Sequence, residues 1–425
     1  MNKRKSILVV AYVFPPIAYA GTHRSLRLCR HLSTMGHEVT VLTIDIQKDL
    51  YNDFELLKGL PPEVDVVRTR TLDPWRSYQQ VKARLAGTLP GKLLGKAISL
   101  ALHMVHQPDH MNFWVPFAVK KGLELVKTKK TDIVYTSSPP HSEQVIGYIL
   151  KHKTSVKWIA DLRDPLLDNI VSDGWNAYER MIHNIIEKRI ARWADAVIFN
   201  TVFAKDRFET RYPGRRTHLV HNSYDERDFE TLVEDKFSKF TISHLGTLYG
   251  FRKTDMLFGA IRLLADRGSI SPSSFRLLLV GYADNNIMDD IKHLHLEDYI
   301  ELQGLLPHKE AISIMMRSHV LLLIKAFGPN SNGQIPGKLY EYLATGNPVL
   351  CLAPQDSEAA RIVEESGNGL VVEDNVEELA EVLNRAHKEY RSVTVSPGQN
   401  GRKSECDQFS SITMARKISQ IMDHI

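Results

Sequence analysis

The sequence predicts an α/β protein built from two Rossmann-like domains that face each other across a cleft. Its 425 residues are too many for one ordinary hydrophobic core, so two domains are expected. Continuous apolar runs such as SILVVAY (6–12) and FRLLLVG (275–281) are typical of strands buried on both faces of a parallel sheet. Helical patterns and glycine-bearing loops alternate with such runs in both halves of the chain, which is the order of βαβ units.

The composition is that of an ordinary globular protein, with 43% apolar and 24% charged residues. A net charge of +4 is too small to indicate nucleic-acid binding. The three cysteines, Cys29, Cys351 and Cys406, have no metal-ligand spacing and do not suggest a disulfide framework, which favours a reducing compartment. The start of the chain predicts a strand and no signal peptide, and no apolar run is long enough to span a bilayer. We therefore expect a cytoplasmic protein.

The first βαβ unit is predicted at the start of the chain. Strand 6–12 leads through the loop FPPIAYAG, which ends at Gly21, into a helical pattern that ends at Gly36. In this helical pattern, Leu26, Leu28, Leu32 and Met35 are apolar and Arg24, Arg27 and Arg30 are polar. A glycine loop at a helix start predicts a phosphate-type crevice, although a tight turn would also explain Gly21 alone. The missing GxGxxG fingerprint disfavours NAD.

A basic segment then interrupts the pattern. Residues 76–106 contain five basic residues, no acidic one and interleaved leucines, and we expect residues 76–130 to form a helical insertion. A basic amphipathic segment can lie on an anionic membrane surface. A helical hairpin that packs on its own domain is the favoured alternative.

Two loops at strand ends carry candidate site residues. TDIVYTSSPPHS (131–142) predicts a strand that runs into a proline loop containing His141, and KWIADLRDP (157–165) predicts a strand that ends at Arg163 and Asp164. Because open parallel sheets bind ligands at the carboxyl ends of their strands, we expect these side chains near a ligand. For a lone histidine in a loop, a surface position is the ordinary alternative.

A second α/β domain is predicted after the charged linker 233–240. Its candidate residues follow strand ends and are Gly246, Arg252, Lys253, Gly281 and Lys325. Adjacent cations suit a diphosphate, because fixed positive charge stabilises negative charge that develops on a leaving group. The alternative for the Arg-Lys pair is a solvated turn.

A loop that becomes a helix and then a buried strand spans residues 333–350 (GQIPGKLYEYLATGNPVL). Pro336 and Gly337 lie in the loop, and Lys338 begins the helix. Free N–H groups and the helix dipole favour an anion here, and a lysine in the first turn is easier to explain if it meets a phosphate. Glu341 is near the same face and can accept hydrogen bonds from sugar hydroxyls. The alternative is a capped surface helix with a solvated Lys/Glu pair.

Taken in order, these segments resemble the family-4 retaining glycosyltransferases of the GT-B fold, in particular those of bacterial polysaccharide assembly. The segment PGKLYEYLATGNPVL (336–350) is specific, while the AYAG, SPPHS and DLRDP loops contribute by their order. The resemblance covers nearly the whole chain. The family motif is Glu-x7-Glu; Glu341 matches its second Glu, and Gly333 stands at the first. That departure leaves the donor sugar, and to a lesser degree activity, open.

The resemblance implies a role for each candidate. Glu341 would hold the nucleotide ribose, and His141 and Asp164 would face the reacting sugar as catalytic residues. Lys253 stands at the family's diphosphate-binding Lys position, and adjacent Arg252 would supply the charge of a family Arg that is missing. The other donor-binding residues would be Gly21, Gly246, Gly281, Lys325, Pro336, Gly337 and Lys338, and the acceptor-side residues Arg24 and Arg163.

The resemblance further implies an enzyme that moves a sugar from a nucleotide-diphosphate sugar to a glycan or polyprenyl-linked acceptor with retention of anomeric configuration, in cell-surface polysaccharide biosynthesis. Neither a metal nor another cofactor is expected. The implied domains are 1–232, 238–408 and a helix at 409–425 that packs back on the first domain. Two alternatives stay open: a sugar-nucleotide epimerase of the same fold, and a non-catalytic nucleotide-sugar-binding or assembly protein.

Overall fold

The computed structural model describes residues 4–47, 50–72, 104–169, 172, 174–230, 235–248, 254–328, 330–392 and 406–425. The chain divides into two compact units. The first comprises Met1–Asn222 and Ser411–Ile425, and the second comprises Ser223–Ser410. The division follows Asn222, upstream of the charged segment 233–240 that is the expected linker.

The first unit is a parallel sheet flanked by helices. Its strands are β1 (Ser6–Val10), β2 (Glu38–Ile44), β3 (Asp65–Thr69), β4 (Ile133–Ser138), β5 (Lys157–Leu162), β6 (Ala196–Phe199) and β7 (Thr217–Leu219). The helices that accompany them are α1 (Ala20–Thr34), α2 (Val115–Thr128), α3 (Ser142–Lys153), α4 (Ala177–Trp193) and α5 (Val202–Arg211). The strand order is β3-β2-β1-β4-β5-β6-β7, and neighbouring strands pair in parallel.

The second unit repeats this design. Its strands are β8 (Phe240–Leu245), β9 (Phe275–Val280), β10 (Ile300–Gln303), β11 (Val320–Ile324), β12 (Val349–Leu352) and β13 (Gly369–Val372). Its helices are α6 (Thr254–Asp266), α7 (Asn285–His293), α8 (His308–Arg317), α9 (Lys338–Ala344), α10 (Glu358–Glu365) and α11 (Val376–Ser392). The order is β10-β9-β8-β11-β12-β13, again with parallel neighbours. The predicted α/β class with two Rossmann-like domains is confirmed.

The inner strands of both sheets are buried on both faces, as their apolar sequences predict, whereas the edge strands are partly exposed. In β1, Leu8 and Val10 enter one core while Ile7 and Val9 enter the other. The strand order reverses direction between β1 and β4 in the first sheet, and between β8 and β11 in the second. Such reversals leave a crevice beyond the carboxyl ends of the strands, where ligands bind in this class of fold. The candidate residues follow these strands.

The last helix, α12 (Ser411–Asp423), belongs to the first unit and packs against α1. Its Met414 and Ile418 share a core with Leu28 and Leu32 of α1. The Nε2 atom of His31 lies 2.7 Å from the hydroxyl of Ser411.

The arginines of α1 do not form an exposed polar face. Arg24, Arg27 and Arg30 are all buried. The three residues lie on a side of α1 that is covered by protein, and Arg24 and Arg30 contact α12 through Met414 and Ser411. Buried arginines are tolerated when their charges are paired, and the sequence pattern alone does not reveal the partners.

Most of the basic segment 76–106 lies outside the described residues. The part of the expected insertion that follows it contains a 3₁₀ turn, His110–Trp114, and then α2, with Trp114 buried. Among the residues that the structure describes, no helix combines the length and apolar character needed to cross a membrane.

Candidate functional site

Two glycines meet at the carboxyl edge of the second sheet. Gly246 follows β8 with φ +120°, and Gly281 follows β9 with φ +121°, a region that side-chain-bearing residues rarely adopt. The amide of Gly246 donates to the carbonyl of Val280 at 2.7 Å. A Cβ atom on Gly281 would lie 2.8 Å from the carbonyl oxygen of Gly246. The two loops therefore touch through their backbones, and neither position has room for a side chain.

The ammonium of Lys338 lies against the same turn. A Cβ atom on Gly246 would be 2.7 Å from Nζ of Lys338, so the missing side chain of the glycine is what admits the ammonium. The α9 helix is tied to β8 by Tyr342, whose buried hydroxyl accepts from the amide of Leu245 at 2.9 Å. Three predicted donor-site residues, Gly246, Gly281 and Lys338, are thus brought together.

The other predicted residues of this segment surround α9. Gly337 precedes the helix as its N-cap residue with φ −57° and is exposed, while Pro336 and Glu341 are partly exposed. The helix has seven residues, Lys338–Ala344, and is followed by Gly346 at φ +70°. Arg252 and Lys253 lie outside the described residues, so their predicted contact with a diphosphate stays a prediction.

The structure places Lys325 inside the protein rather than on a ligand-facing surface. It follows β11, is 3% exposed, and donates to the carbonyl of Ser331 at 2.6 Å and to Oδ1 of Asn332 at 3.2 Å. Burial lowers its pKa to about 8. Its donor-binding role is therefore corrected: Lys325 supports the 3₁₀ turn Ser331–Gly333 from beneath and helps to fix the loop that leads to α9.

In the first unit, Gly21 and Arg163 are neighbours. A Cβ atom on Gly21 would lie 2.8 and 2.9 Å from the two terminal nitrogens of the Arg163 guanidinium. Arg163 also donates to the carbonyl of Pro139 in the loop after β4. Burial raises the pKa of adjacent Asp164, and the Arg163 charge opposes that shift. The crevice between β1 and β4 thus holds a glycine, a cation and a carboxyl group.

His141 lies immediately before α3 and is 9% exposed. Burial, together with the smaller effects of the nearby His183 and Arg163, lowers its pKa to about 3. Its ring meets that of His183 edge-on at 5.8 Å, and His183 stacks on Trp175 at 3.9 Å. Among the described residues, Nδ1 of His141 has no hydrogen-bond partner. His141 is therefore a buried, neutral imidazole whose Nδ1 atom makes no hydrogen bond to the described residues.

This burial predicts a pH dependence of stability. In the unfolded chain the pKa of a histidine is about 6.5, whereas that of His141 in the fold is about 3. A lowered folded pKa contributes stability above the unfolded value, and this contribution is lost as the pH falls from about 6.5 towards 3. Replacing His141 by Asn should therefore flatten the decline of the unfolding free energy by up to about 1.4 kcal/mol per pH unit in that window.

Denaturant unfolding between pH 7 and pH 4 measures this slope. The matched control is His293→Asn on α7, an exposed histidine whose replacement should leave the wild-type slope unchanged. Identical slopes for the wild type and His141→Asn would contradict the prediction.

Arg24, the other predicted acceptor-side residue, lies in the core of the first unit. Its Nε and Nη2 atoms contact the two carboxylate oxygens of Asp161 at 2.8 and 3.0 Å. Its Nη1 atom donates to the carbonyl of His221 at 2.9 Å. With 4% exposure and its donors engaged, Arg24 is a structural residue, and its acceptor-side role is corrected.

Glu143 is a buried carboxyl group beside this crevice that was not among the residues expected from the sequence. Glu143 accepts from the amide of Tyr12 at 2.7 Å and from the amide of Ser137 at 3.2 Å. Burial raises its pKa well above the usual range. It ties the loop after β1 to the end of β4 and so positions the crevice. The only local signal is an acidic residue in the first turn of the helix that follows SPPHS.

In the parts of the chain that the structure describes, no group of three or more His, Cys, Asp or Glu side chains is placed to hold a metal ion.

Two family models match the chain, one in each unit. A model described as Glycosyl transferase 4-like domain matches residues 21–223, and one described as Glycosyl transferases group 1 matches residues 239–389. A search of curated proteins gave no match.

Solved structures of similar fold cover nearly the whole chain. Anabaena HepE, determined in complex with UDP and glucose, is 16% identical with a TM-score of 0.65 over 99% of this chain and 100% of its own. A sucrose-phosphate synthase from Thermosynechococcus elongatus is 14% identical with a TM-score of 0.66 over 99% of each chain. A putative UDP-N-acetylglucosamine 2-epimerase from Listeria monocytogenes is 12% identical with a TM-score of 0.55 over 98% of this chain and 95% of its own. At these identities the similarity shows the fold alone.

The two family models together span most of the chain, and both units have the sheet topology expected of the fold. The chain therefore belongs to the glycosyltransferases of the GT-B fold, with a glycosyltransferase 4-like domain followed by a glycosyltransferase group 1 domain.

Proposed function

We propose that this glycosyltransferase moves a sugar from a nucleoside-diphosphate sugar to a glycan or polyprenyl-linked acceptor, with retention of anomeric configuration, in cell-surface polysaccharide biosynthesis. The observation that carries the proposal is the group formed by Gly246, Gly281 and Lys338. An ammonium beside backbone with no side-chain obstruction, beyond the carboxyl ends of β8 and β9, suits a diphosphate.

The donor would bind to the second unit. Lys338 would contact the diphosphate, and the amides around Pro336 and Gly337 would assist. Arg252 and Lys253 would add positive charge. A carboxylate three residues after Lys338, Glu341, lies on the same side of α9 and is partly exposed, which suits hydrogen bonds to ribose hydroxyls.

The acceptor would bind to the first unit, where His141 and Asp164 would face the reacting sugar. The missing side chain of Gly21 makes room for the Arg163 guanidinium, which would add positive charge on this side. In retention on one face of the sugar, the bond from the anomeric carbon to the leaving phosphate breaks while the acceptor oxygen forms the new bond. The acceptor proton passes to the leaving phosphate, so no protein nucleophile is required. Positive charge near that phosphate stabilises the charge that develops on it.

The first experiment is to identify the nucleotide base that the protein binds. HepE was solved with UDP and glucose, which makes UDP the first nucleotide to try, followed by GDP and ADP, with NAD as a negative control. A ligand at about 100 times its Kd adds about 2.7 kcal/mol to the unfolding free energy, which is visible as a raised thermal midpoint.

Replacing Glu341 by Gln should lower nucleotide affinity by about tenfold, because a hydrogen bond to a charged group contributes about 1.5–3 kcal/mol. Thermal shift and calorimetric titration with the nucleotide found for the wild type measure the loss. The matched control is Glu377→Gln, an exposed first-turn glutamate of α11 in the same unit, which should bind like the wild type. Equal affinity in the wild type and Glu341→Gln would place the ribose elsewhere.

Turnover separates the proposal from its two rivals. A transferase consumes the donor only when an acceptor is added, and NMR of the product reports the anomeric configuration. The similarity of fold to a putative epimerase makes epimerisation the second candidate, and it would appear as interconversion of the sugar nucleotide without acceptor. Tight donor binding with neither reaction would support a binding or assembly protein.

We also propose that the protein is cytoplasmic and lies peripherally on the inner face of the cell membrane, through residues 76–106. The support is the sequence of that segment, with five basic residues and no acidic one. Co-sedimentation should be stronger with vesicles of phosphatidylglycerol and phosphatidylcholine than with phosphatidylcholine alone. Equal sedimentation with both would contradict the electrostatic part of this proposal.

A further inference from the structure

A buried histidine lies beneath the candidate diphosphate site. His244 is the fifth residue of β8 and is 0% exposed. Its Nδ1 atom lies 2.9 Å from the carbonyl oxygen of Leu322 on β11, and its Nε2 atom lies 3.0 Å from Nζ of Lys338. The imidazole therefore connects the centre of the sheet to the first turn of α9.

The two contacts determine the protonation state of the ring. A carbonyl oxygen can only accept, so Nδ1 of His244 carries the proton. An ammonium can only donate, so Nε2 is unprotonated and accepts from Lys338. The ring is thus neutral and in a single tautomer.

A neutral hydrogen-bond acceptor affects the charge near a lysine differently from a carboxylate. Where a lysine of this chain meets a carboxylate, as Lys205 meets Glu209 at 2.8 Å, the two charges cancel at a distance. An imidazole restrains the ammonium of Lys338 without placing a negative charge of its own beside it. Gly246 completes the arrangement, because any side chain there would meet Nζ.

We propose that His244 is the positioning residue that holds the Lys338 ammonium beside Gly246, ready for the diphosphate of the donor. This inference rests on the proposed function, since it assumes that Lys338 meets a diphosphate. It adds the group that orients the lysine and gives a reason for a buried histidine in β8. Preorganising a charge in this way reduces the cost of ordering it when the ligand binds.

The test is a double-mutant cycle on diphosphate affinity. The variants are His244→Phe, which removes the acceptor, Lys338→Met, which removes the ammonium, and the two combined. The probes are UDP, GDP and ADP, with the corresponding nucleosides as phosphate-free ligands. His244→Phe should weaken binding of the nucleoside diphosphate by about tenfold, since a hydrogen bond to a charged group is at stake, and should leave nucleoside binding within about twofold.

In the Lys338→Met background, His244→Phe should cause no further loss of diphosphate affinity, because the residue acts through the lysine. His244→Gln is the conservative variant. Its amide can donate to Leu322 and accept from Lys338, and it should recover most of the affinity. Equal losses for diphosphate and nucleoside, or the same loss with and without Lys338, would reduce His244 to a packing residue and overturn the inference.

Unfolding of the same four proteins without ligand separates this inference from the proposed function. The contact predicts that His244→Phe shifts the denaturant midpoint less in the Lys338→Met background than in the wild type. A wild type that binds a diphosphate, with His244→Phe binding equally well, overturns the inference and leaves the function standing. A wild type that binds no diphosphate, with coupling still present in unfolding, overturns both the function and the role of His244 in it, while the contact itself is real.

Discussion

Replacement of Asp161 by Asn should destabilise the first unit by about 3–5 kcal/mol, because it leaves the buried Arg24 without its counter-charge. Asp161 is 0% exposed and accepts from Arg24, from the hydroxyl of Tyr135 at 2.6 Å and from the hydroxyl of Ser137 at 2.8 Å. Burial would lower the pKa of Arg24, but the Asp161 charge raises it overall, so Arg24 stays charged in the core. Denaturant unfolding followed by circular dichroism measures the loss.

Two comparisons identify the cause of this loss. The exposed pair of Lys58 and Glu55, with side chains 74% and 75% exposed, provides a matched control, and Lys58→Met should change stability by less than about 1 kcal/mol. The double variant Arg24→Met with Asp161→Asn should lose less than the sum of Arg24→Met and Asp161→Asn, because it removes both charges together. A single variant Asp161→Asn as stable as the wild type would show that the pair contributes little.

Gly246→Ala should cost about 100-fold in turnover with the donor while the protein remains folded. The added Cβ would lie 2.7 Å from Nζ of Lys338, and φ +120° is strained for any residue with a side chain. The ammonium must therefore move away from the place where negative charge develops, and loss of one such group typically costs about 10²–10³ in rate. Steady-state kinetics and diphosphate titration measure the effect.

The matched control is Gly268→Ala, after α6. Gly268 also has a positive φ, +63°, but a Cβ there would meet no atom within 4 Å. This variant should lose about 1 kcal/mol of stability through backbone strain and keep its nucleotide affinity. If Gly246→Ala retained wild-type affinity, Lys338 would not be a diphosphate ligand.

The inner strands were predictable because they are buried on both faces, which leaves a continuous apolar run such as β1 or β11 in the sequence. The turns at Gly246 and Gly346 were predictable because their positive φ values favour glycine. Arg24 was expected on the acceptor side but is buried in the core, and there is a physical reason for this error. Its partner Asp161 is 137 residues away, and a helical pattern records polarity without recording whether a charge is paired.

In the candidate site too, local sequence rules predict some features, while others depend on partners distant in the sequence. Gly246, Gly281 and Lys338 follow from local rules about glycine and strand ends, and the structure brings them together. The burial of Lys325 and the tautomer of His244 depend on carbonyl groups contributed by other segments, Ser331 and Leu322. Such contacts arise only when the chain has folded, so neither role was visible in the sequence.

The return of α12 to the first unit determines the order in which the nascent chain can finish folding. The sheet of this unit is synthesised first, but Met414 and Ile418 of its core are made only after the whole of Ser223–Ser410. At roughly 5–20 residues per second, that interval is about 10–40 s. During it, the surface of α1 that α12 will cover stays open on the ribosome-bound chain. Of the two units, the one whose synthesis starts first is thus the one whose fold is completed last.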